Sequence, residues 1–301
     1  MNGGKTASKP CHSTSKDFVD DLNVVAKGRT LLELKENIED DLKRLETYLI
    51  DHKMVINTGK TQLMLINTKT EDSPFKVTIN GQDIEHQEVM KILGITLSSD
   101  LKFDHHIWKG NQNMVKSVGF KISVLKTLKP FLPTKILAAV GNALVNSTIM
   151  YGAPLWGGTT SANIAKLQSA QVKAGRAITG SGPKMKRTHR QQMFNQLNWP
   201  NVTQLIYAST LNLAKRGIEK KSSEGINNLF KVTTPRQHRA LPTMRLHHRG
   251  PLTRQPNVFS SHAEELFNEL PDFLKNPALT INQFKRHIKI HTRETNLLKE
   301  H

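Results

Sequence analysis

The sequence predicts an α+β chain in which short β-hairpins and one long helix precede a mainly α-helical, basic second half. Three observations predict it. Phe18 and Val19 precede Asp20-Asp21, and Leu22, Val24 and Val25 follow, the pattern of strand, tight turn and strand. Phe75, Val77 and Ile79 alternate up to Asn80-Gly81, the strongest short-range hairpin signal. From Asp104 onward the apolar residues recur at helical spacing instead.

Taken in order, Met1 to Lys16 is rich in Gly, Ser, Thr and Lys without periodicity and reads as a disordered leader, residues 1–16. Gly4-Lys5-Thr6 and Gly59-Lys60-Thr61 invite a phosphate-loop reading, which needs a further Gly five positions earlier. Met54 holds that position at the second site, and at the first it does not exist, so both fail. Thr30 and Glu33 form a capping box, and Leu31, Leu34, Ile38, Leu42, Leu45 and Leu49 then share one helix face. This helix is expected to pack on a sheet that includes the first hairpin. Val55-Ile56 and Gln62 to Ile66 read as strands about a turn at Thr58-Gly59, with Lys60 at the turn. Val89 to Leu97 reads as one strand.

In the second half Ile107, Met114, Val118, Ile122 and Leu125 form a core stripe, with Lys109 and Lys116 opposite it. Pro130 and Pro133 end that helix and start another, in which Ile136, Leu137, Val140, Leu144 and Ile149 face inward. Thr160 or Ser161 caps a third helix carrying Lys166, Lys173 and Arg176. Gly180-Ser181-Gly182-Pro183 marks a linker, followed at once by Lys184, Lys186, Arg187 and Arg190. Three readings of that cluster stand: a phosphate site, a nuclear import signal, or a charged loop. Trp199-Pro200 opens a helix running to about Arg216. Lys231 to Ser261, with many Pro, Arg and His residues, is expected to be flexible, and Glu264 to Leu270 and Ile281 to Ile290 to be short helices. The expected segments are thus residues 1–16, 17–103, 104–180 and 181–301.

Charge narrows the partners. The net charge is +18 with 37% hydrophobic residues, and no Asp or Glu occurs between His105 and Ile218. A surface that tracks phosphates has a reason to exclude acids, so RNA and DNA are the expected partners. The single cysteine, Cys11, excludes an internal disulfide and a Cys-rich zinc knuckle, the usage of an intracellular chain. Ile136 to Trp156 is uncharged, but Asn142, Asn146 and Pro154 interrupt it, so it reads as a buried helix rather than a membrane span. Thirteen histidines include the neighbours His105-His106 and His247-His248, which cannot share a helix face, and no His-Glu-x-x-His zinc motif occurs.

Two readings of Asp20-Asp21 stand on local pattern. Asp favours turns through its own hydrogen bonding. Two carboxylates on a rigid hairpin also suit Mg²⁺, and paired ions are the device of phosphoryl transfer.

The order of motifs favours the second reading. Phe18-Val19-Asp20-Asp21 is followed by the long helix, then Asn57, Lys60-Thr61, Asn80-Gly81 and Lys91-Ile92-Leu93-Gly94-Ile95-Thr96-Leu97. Leu101-Lys102-Phe103 with His106-Ile107, Tyr151-Gly152, Trp156-Gly157, Lys166-Leu167-Gln168, Gln171, Lys173-Ala174 and Arg176 come next. This succession resembles the reverse transcriptases of non-LTR retrotransposons, the LINE and jockey-like group. The resemblance covers Phe18 to Gly180 and, more loosely, Leu270-Pro271 to Phe284-Lys285. It implies that residues 17–103 are part of a polymerase palm, residues 104–180 a helical thumb and residues 181–301 a basic extension. It further implies Mg²⁺ at Asp20 and Asp21, and Lys60 beside the incoming nucleotide, where it could neutralise the leaving pyrophosphate. Lys91 and Gly94 fall in the primer grip, and Lys109, Lys116, Lys166, Lys173 and Arg176 on the thumb's nucleic-acid face. In that family another metal-binding Asp lies on a separate strand well upstream, whereas only 17 residues precede Phe18 here. The expectation is therefore a chain inactive by itself, taking a dNTP only if a complete palm is supplied. A non-catalytic nucleic-acid-binding relic and a fragment of a longer reading frame are the alternatives.

Overall fold

The computed structural model describes residues 13–18, 21–66, 75–233, 243–246 and 258–294. The chain divides into two compact units, Met1–Leu101 and Lys102–His301. Among the described residues the architecture is α+β, with four separate two-stranded antiparallel sheets and helices that dominate the second unit.

In the first unit β1 (Ser13–Phe18) and β2 (Asp21–Ala26) pair from Ser13 opposite Ala26 to Phe18 opposite Asp21. The hairpin thus forms one residue earlier than the turn signal placed it, with Asp21 in β2 rather than at the tip; Val19 and Asp20 themselves lie outside the described residues. Ser13 to Lys16, read from sequence as leader, belong to β1, because Asn23 to Ala26 offer them backbone partners. Helix α1 (Leu31–Asp51) begins as expected, with Thr30 Oγ1 accepting from Glu33 N at 3.1 Å. The Glu33 carboxylate returns to Arg29 N at 2.8 Å, one residue before the usual capping-box position.

The apolar stripe of α1 packs on β3 (Lys76–Ile79) and β4 (Gln82–Glu85). Leu42, Leu65, Phe75, Val77 and Ile79 are the buried centre, with Leu34, Ile38, Leu45, Ile56, Leu63 and Ile84 around them. Asn80 and Gly81 take φ of 50° and 73°, the left-handed pair that a type I′ hairpin turn requires. Glu46 fixes this turn to the helix by accepting from Asn80 N at 2.8 Å. Helix α1 also touches β1 and β2, but the strands do not join into one sheet as expected from the sequence.

Two other expectations are corrected. Val55-Ile56 and Gln62 to Ile66 do not pair as strands. The turn at Thr58 to Lys60 forms, but Ile56, Leu63 and Leu65 insert singly into the helix core, and Leu63 makes only an isolated parallel bridge to His86. Val89 to Leu97 is not one strand but a hairpin of β5 (Val89–Ile92) and β6 (Ile95–Ser98). Leu93 and Gly94 at φ of 45° and 83° reverse the chain between them.

In the second unit α2 (Asp104–Ile107) is short, and α3 (Met114–Leu128) follows after a loop. Helix α4 (Thr134–Gly141), a π-helical turn (Asn142–Asn146) and α5 (Ser147–Met150) form one continuous rod. The π turn admits an extra residue and rotates the buried face. Leu137, Ala138, Gly141, Val145 and Ile149 are buried, while Ile136, expected inside, is 50% exposed. Then come α6 (Ala153–Trp156) and α7 (Ser161–Thr179), capped by Thr160. They are followed by α8 (Arg187–Leu197), α9 (Val202–Ile218) and α10 (Glu224–Asn227).

Asn201 and Gln204 make both bonds of a capping box at the start of α9, at 2.8 and 2.9 Å. Helix α9 is buried on several sides, which marks an interior helix. It contacts α5, α6 and α7 on one hand and, on the other, β7 (Phe230–Thr233), α11 (Phe259–Asn268) and α13 (Ile281–Glu294). Strand β8 (Thr243–Leu246) pairs with β7, and α12 (Asp272–Lys275) touches α13. Phe230, Met244, Phe267, Leu274, Phe284 and Ile288 close a core on Tyr207, Leu211 and Ala214 of α9. The paired strands answer the expectation of flexibility over Lys231 to Ser261 in part: Phe230 and Met244 have a core to fill, and residues 234–242 and 247–257 lie outside the described residues. Among the described residues no helix is long and apolar enough to cross a membrane.

Candidate nucleic-acid interface

Three cations of the acid-free span, Lys109, Lys116 and Lys166, meet at the loop between α2 and α3. Gly110 turns this loop with φ of 77°, and Asn113 closes it. The Asn113 side chain donates to Trp108 O at 2.9 Å and Gly110 O at 3.0 Å, and accepts from Lys116 N at 2.9 Å as the cap of α3. Lys116 Nζ donates to Gly110 O at 3.1 Å. The indole of Trp108 is anchored by Nε1 donating to Asn163 Oδ1 at 2.8 Å, in the first turn of α7. Asn163 is 1% exposed, and its Nδ2 lies 2.8 Å from both Asp104 Oδ1 and Thr159 Oγ1.

Trp108 is nevertheless 36% exposed. Lys166 Nζ sits 3.7 Å from its ring centroid and Lys109 Nζ 5.4 Å. Cation–π contacts at such exposed sites are worth about 0.5–1 kcal/mol. Lys109 also pairs with Asp104 at 2.9 Å, and a pair of this exposure contributes about 0–1 kcal/mol. Both lysines are held weakly enough to exchange these partners for a phosphate.

Backbone dipoles add to the field. Helices α3 and α7 both start at this loop, and at their far ends a Cβ on Gly180, the cap of α7, would come within 3.0 Å of Nζ of Lys129, the cap of α3. The helices therefore run parallel, with both positive ends toward Trp108. Neither has an acid in its first turn to neutralise that end.

Lys173 follows Lys166 by two turns on α7 and is exposed, extending the same face. Arg176 is half-buried, and its Nε is buried without a hydrogen bond among the described residues, so it is less a surface contact than the sequence suggested. Lys184, Lys186, Arg187 and Arg190 are all exposed. Lys186 caps α8 and the two arginines lie in its first turns, again with no acid there. Helix α8 packs on α7, where a Cβ on Gly175 would meet Met193 Cε at 2.7 Å.

In the first unit Asp21 is the exposed first residue of β2, and Asp20 lies outside the described residues. Lys60 is exposed in its turn, its N donating to Asn57 O at 3.1 Å. Lys91 is exposed on β5 opposite Thr96, and Gly94 is in the adjoining turn. Among the described residues no group of three or more His, Cys, Asp or Glu side chains could hold a metal ion. Sequence reasoning missed Trp108 and Asn163. Trp108 looked like one more helical residue, and only Gly110 and the capping type of Asn113 hinted that the helix stops there.

No protein-family model matches the chain, and no solved structure matches it. Two curated proteins of Drosophila melanogaster are similar to it. A 115 kDa protein of a type-1 retrotransposable element is 27% identical over 139 residues, 46% of this chain and 13% of that protein. The RNA-directed DNA polymerase of the mobile element jockey is 24% identical over 164 residues, 54% of this chain and 18% of that protein. The matched part is thus under a fifth of either relative's length. The chain is similar to proteins of non-LTR retrotransposons, as its succession of motifs implies.

Proposed function

We propose that this chain is the nucleic-acid-binding part of a non-LTR retrotransposon reverse transcriptase, gripping RNA and DNA mainly through phosphates. One observation carries the reading: Lys109, Lys116 and Lys166 gather at one loop, within a span from His105 to Ile218 that has no acid. Lys173 and the cluster Lys184, Lys186, Arg187 and Arg190 lengthen that surface. In this reading the second unit serves as the thumb and its extension, and the first as part of the palm. The similarity to the jockey polymerase supports it.

The same reading assigns Mg²⁺ to Asp20 and Asp21, the incoming dNTP to Lys60 and the primer end to Lys91 and Gly94. The basic cluster at Lys184 to Arg190 also fits nuclear import.

The test is a salt titration of binding by fluorescence anisotropy. Each phosphate neutralised contributes a slope of about −0.9 on duplex DNA, or about −0.7 on a single strand, in log affinity against log salt. Lys184→Ala, Lys186→Ala, Arg187→Ala and Arg190→Ala combined should flatten the slope and weaken all sequences alike. Affinity that ignores salt, or a quadruple variant that binds like the parent, overturns the reading.

A further inference from the structure

We infer that Trp108, with Lys109 and Lys166, is a stacking site for an unpaired nucleotide, so that this end of the helical unit selects single-stranded over duplex nucleic acid. The inference rests on the phosphate-binding reading above and adds a base to it.

The three tryptophans of the chain are treated differently by the fold. Trp156 is 0% exposed and donates to Tyr151 O at 2.9 Å, and Trp199 is 5% exposed and donates to Ala138 O at 3.0 Å. Both have an apolar ring in a core and a satisfied N–H. Trp108 has the satisfied N–H without the core. Its indole edge is fixed to Asn163, while the ring is left against two lysine ammoniums and solvent. A ring anchored by its edge and exposed on its surface is preorganised for stacking, since no rotamer search precedes contact.

The neighbours fit a nucleotide better than another apolar group. An apolar partner would cover Trp108 but strand the charge of Lys166, while Lys109 keeps its pair with Asp104. A nucleotide answers both: its base takes the ring and its phosphate takes the ammoniums. Lys166 needs only to move from the ring to that phosphate. Every base has a π-face, so the site is tolerant of sequence. In a duplex both faces of an internal base are already stacked and its edge paired, so only an unpaired strand offers a face without melting. A base face and a phosphate are common to RNA and DNA, so single strands of both should bind.

The test uses the full chain with labelled oligo(dT), labelled oligo(U) and a blunt DNA duplex of equal phosphate number. Anisotropy and tryptophan emission are read in the same titrations. Trp108 is the exposed fluorophore, so stacking should quench emission saturably with both single strands and leave it nearly unchanged with the duplex. Trp108→Phe should remove the quenching and lower the ratio of single-strand to duplex affinity, as Trp108→Leu should by about five-fold or more. Far-UV circular dichroism checks that each variant is folded. If a variant does not fold, quenching of the parent protein by single strands but not duplex decides alone. Binding to single strands without quenching, or equal quenching by the duplex, overturns the stacking site and leaves phosphate binding standing. No anisotropy change with any probe is instead the failure of the phosphate-binding reading.

Discussion

Replacing Gln171 by methionine should cost the second unit about 2–4 kcal/mol, although the two side chains are of similar length. Gln171 is 0% exposed in the middle of α7. Its Nε2 donates to Asn146 Oδ1 at 2.8 Å and to Pro200 O at 2.9 Å, and its Oε1 accepts from Gln168 Nε2 at 3.1 Å. Gln168 in turn accepts from Val202 N at 3.0 Å, so one amide ties α7 to the π turn and to the start of α9. The thioether would keep the volume but leave Asn146 Oδ1 and Pro200 O short of a donor, each worth about 1–3 kcal/mol when buried. Part of that is offset because methionine has no amide to desolvate. Urea unfolding followed by tryptophan emission reads this unit alone, since Trp108, Trp156 and Trp199 all belong to it. With a slope of about 2.5 kcal/mol per M, the midpoint should fall by about 1 M. Asn146→Leu added to Gln171→Met should cost less than the two single losses summed, because the stranded oxygen is gone. A midpoint shift below about 0.2 M would show that the amide network adds nothing beyond packing.

Gly141→Ala should destabilise the same unit by about 1–3 kcal/mol, because its Cβ would lie 2.6 Å from Trp199 Cζ2 and 2.8 Å from Ile178 Cδ1. The gain in helix propensity, about 1 kcal/mol, opposes this, so a raised urea midpoint would refute the overpacking. His262 predicts a pH dependence: burial holds its imidazole below the ordinary value, and Glu265 and Glu269 oppose this only in part. Below about pH 6.5 the unfolded chain takes up a proton that the folded one resists, so this contribution is full above that pH and lost as pH falls through the lower folded value. His262→Gln should reduce the drop in urea midpoint between about pH 7.5 and pH 5.5; an unchanged drop would assign it to other groups.

Hairpins were readable where the turn residues announce themselves. Asn80-Gly81 is such a place, and at Phe18 to Asp21 the apolar residues of β2 mark one strand although β1, apart from Phe18, is polar. Leu93-Gly94 was not readable, because a leucine at positive φ is uncommon and nothing local advertises it. The inward face of Thr134 to Met150 was misjudged at Ile136, because Ile136 and Leu137 are adjacent apolar residues and only Leu137 lies on the buried side of α4. The lysines of the candidate interface were visible as cations, but their gathering was not. Trp108 meets Asn163, 55 residues away, only once α3 and α7 lie side by side in the same direction. Parallel helix packing is a tertiary fact, and no local spacing encodes it.

The position of α9 has a consequence for how the second unit opens. A helix packed on α5, α6 and α7 on one side and on α11, α13 and β7 on another cannot leave either set without exposing apolar surface. Residues 259–294 are for that reason not an appendage that can be deleted: Phe284 and Ile288 cover Leu211 and Ala214, and without them α9 would show a greasy flank to solvent. In amide exchange, the protons of α9 should be among the last to be replaced by deuterium, through global opening alone. Those of α7 and α13, far apart in the chain, should then converge on that same slowest rate as denaturant is added, marking one cooperative block.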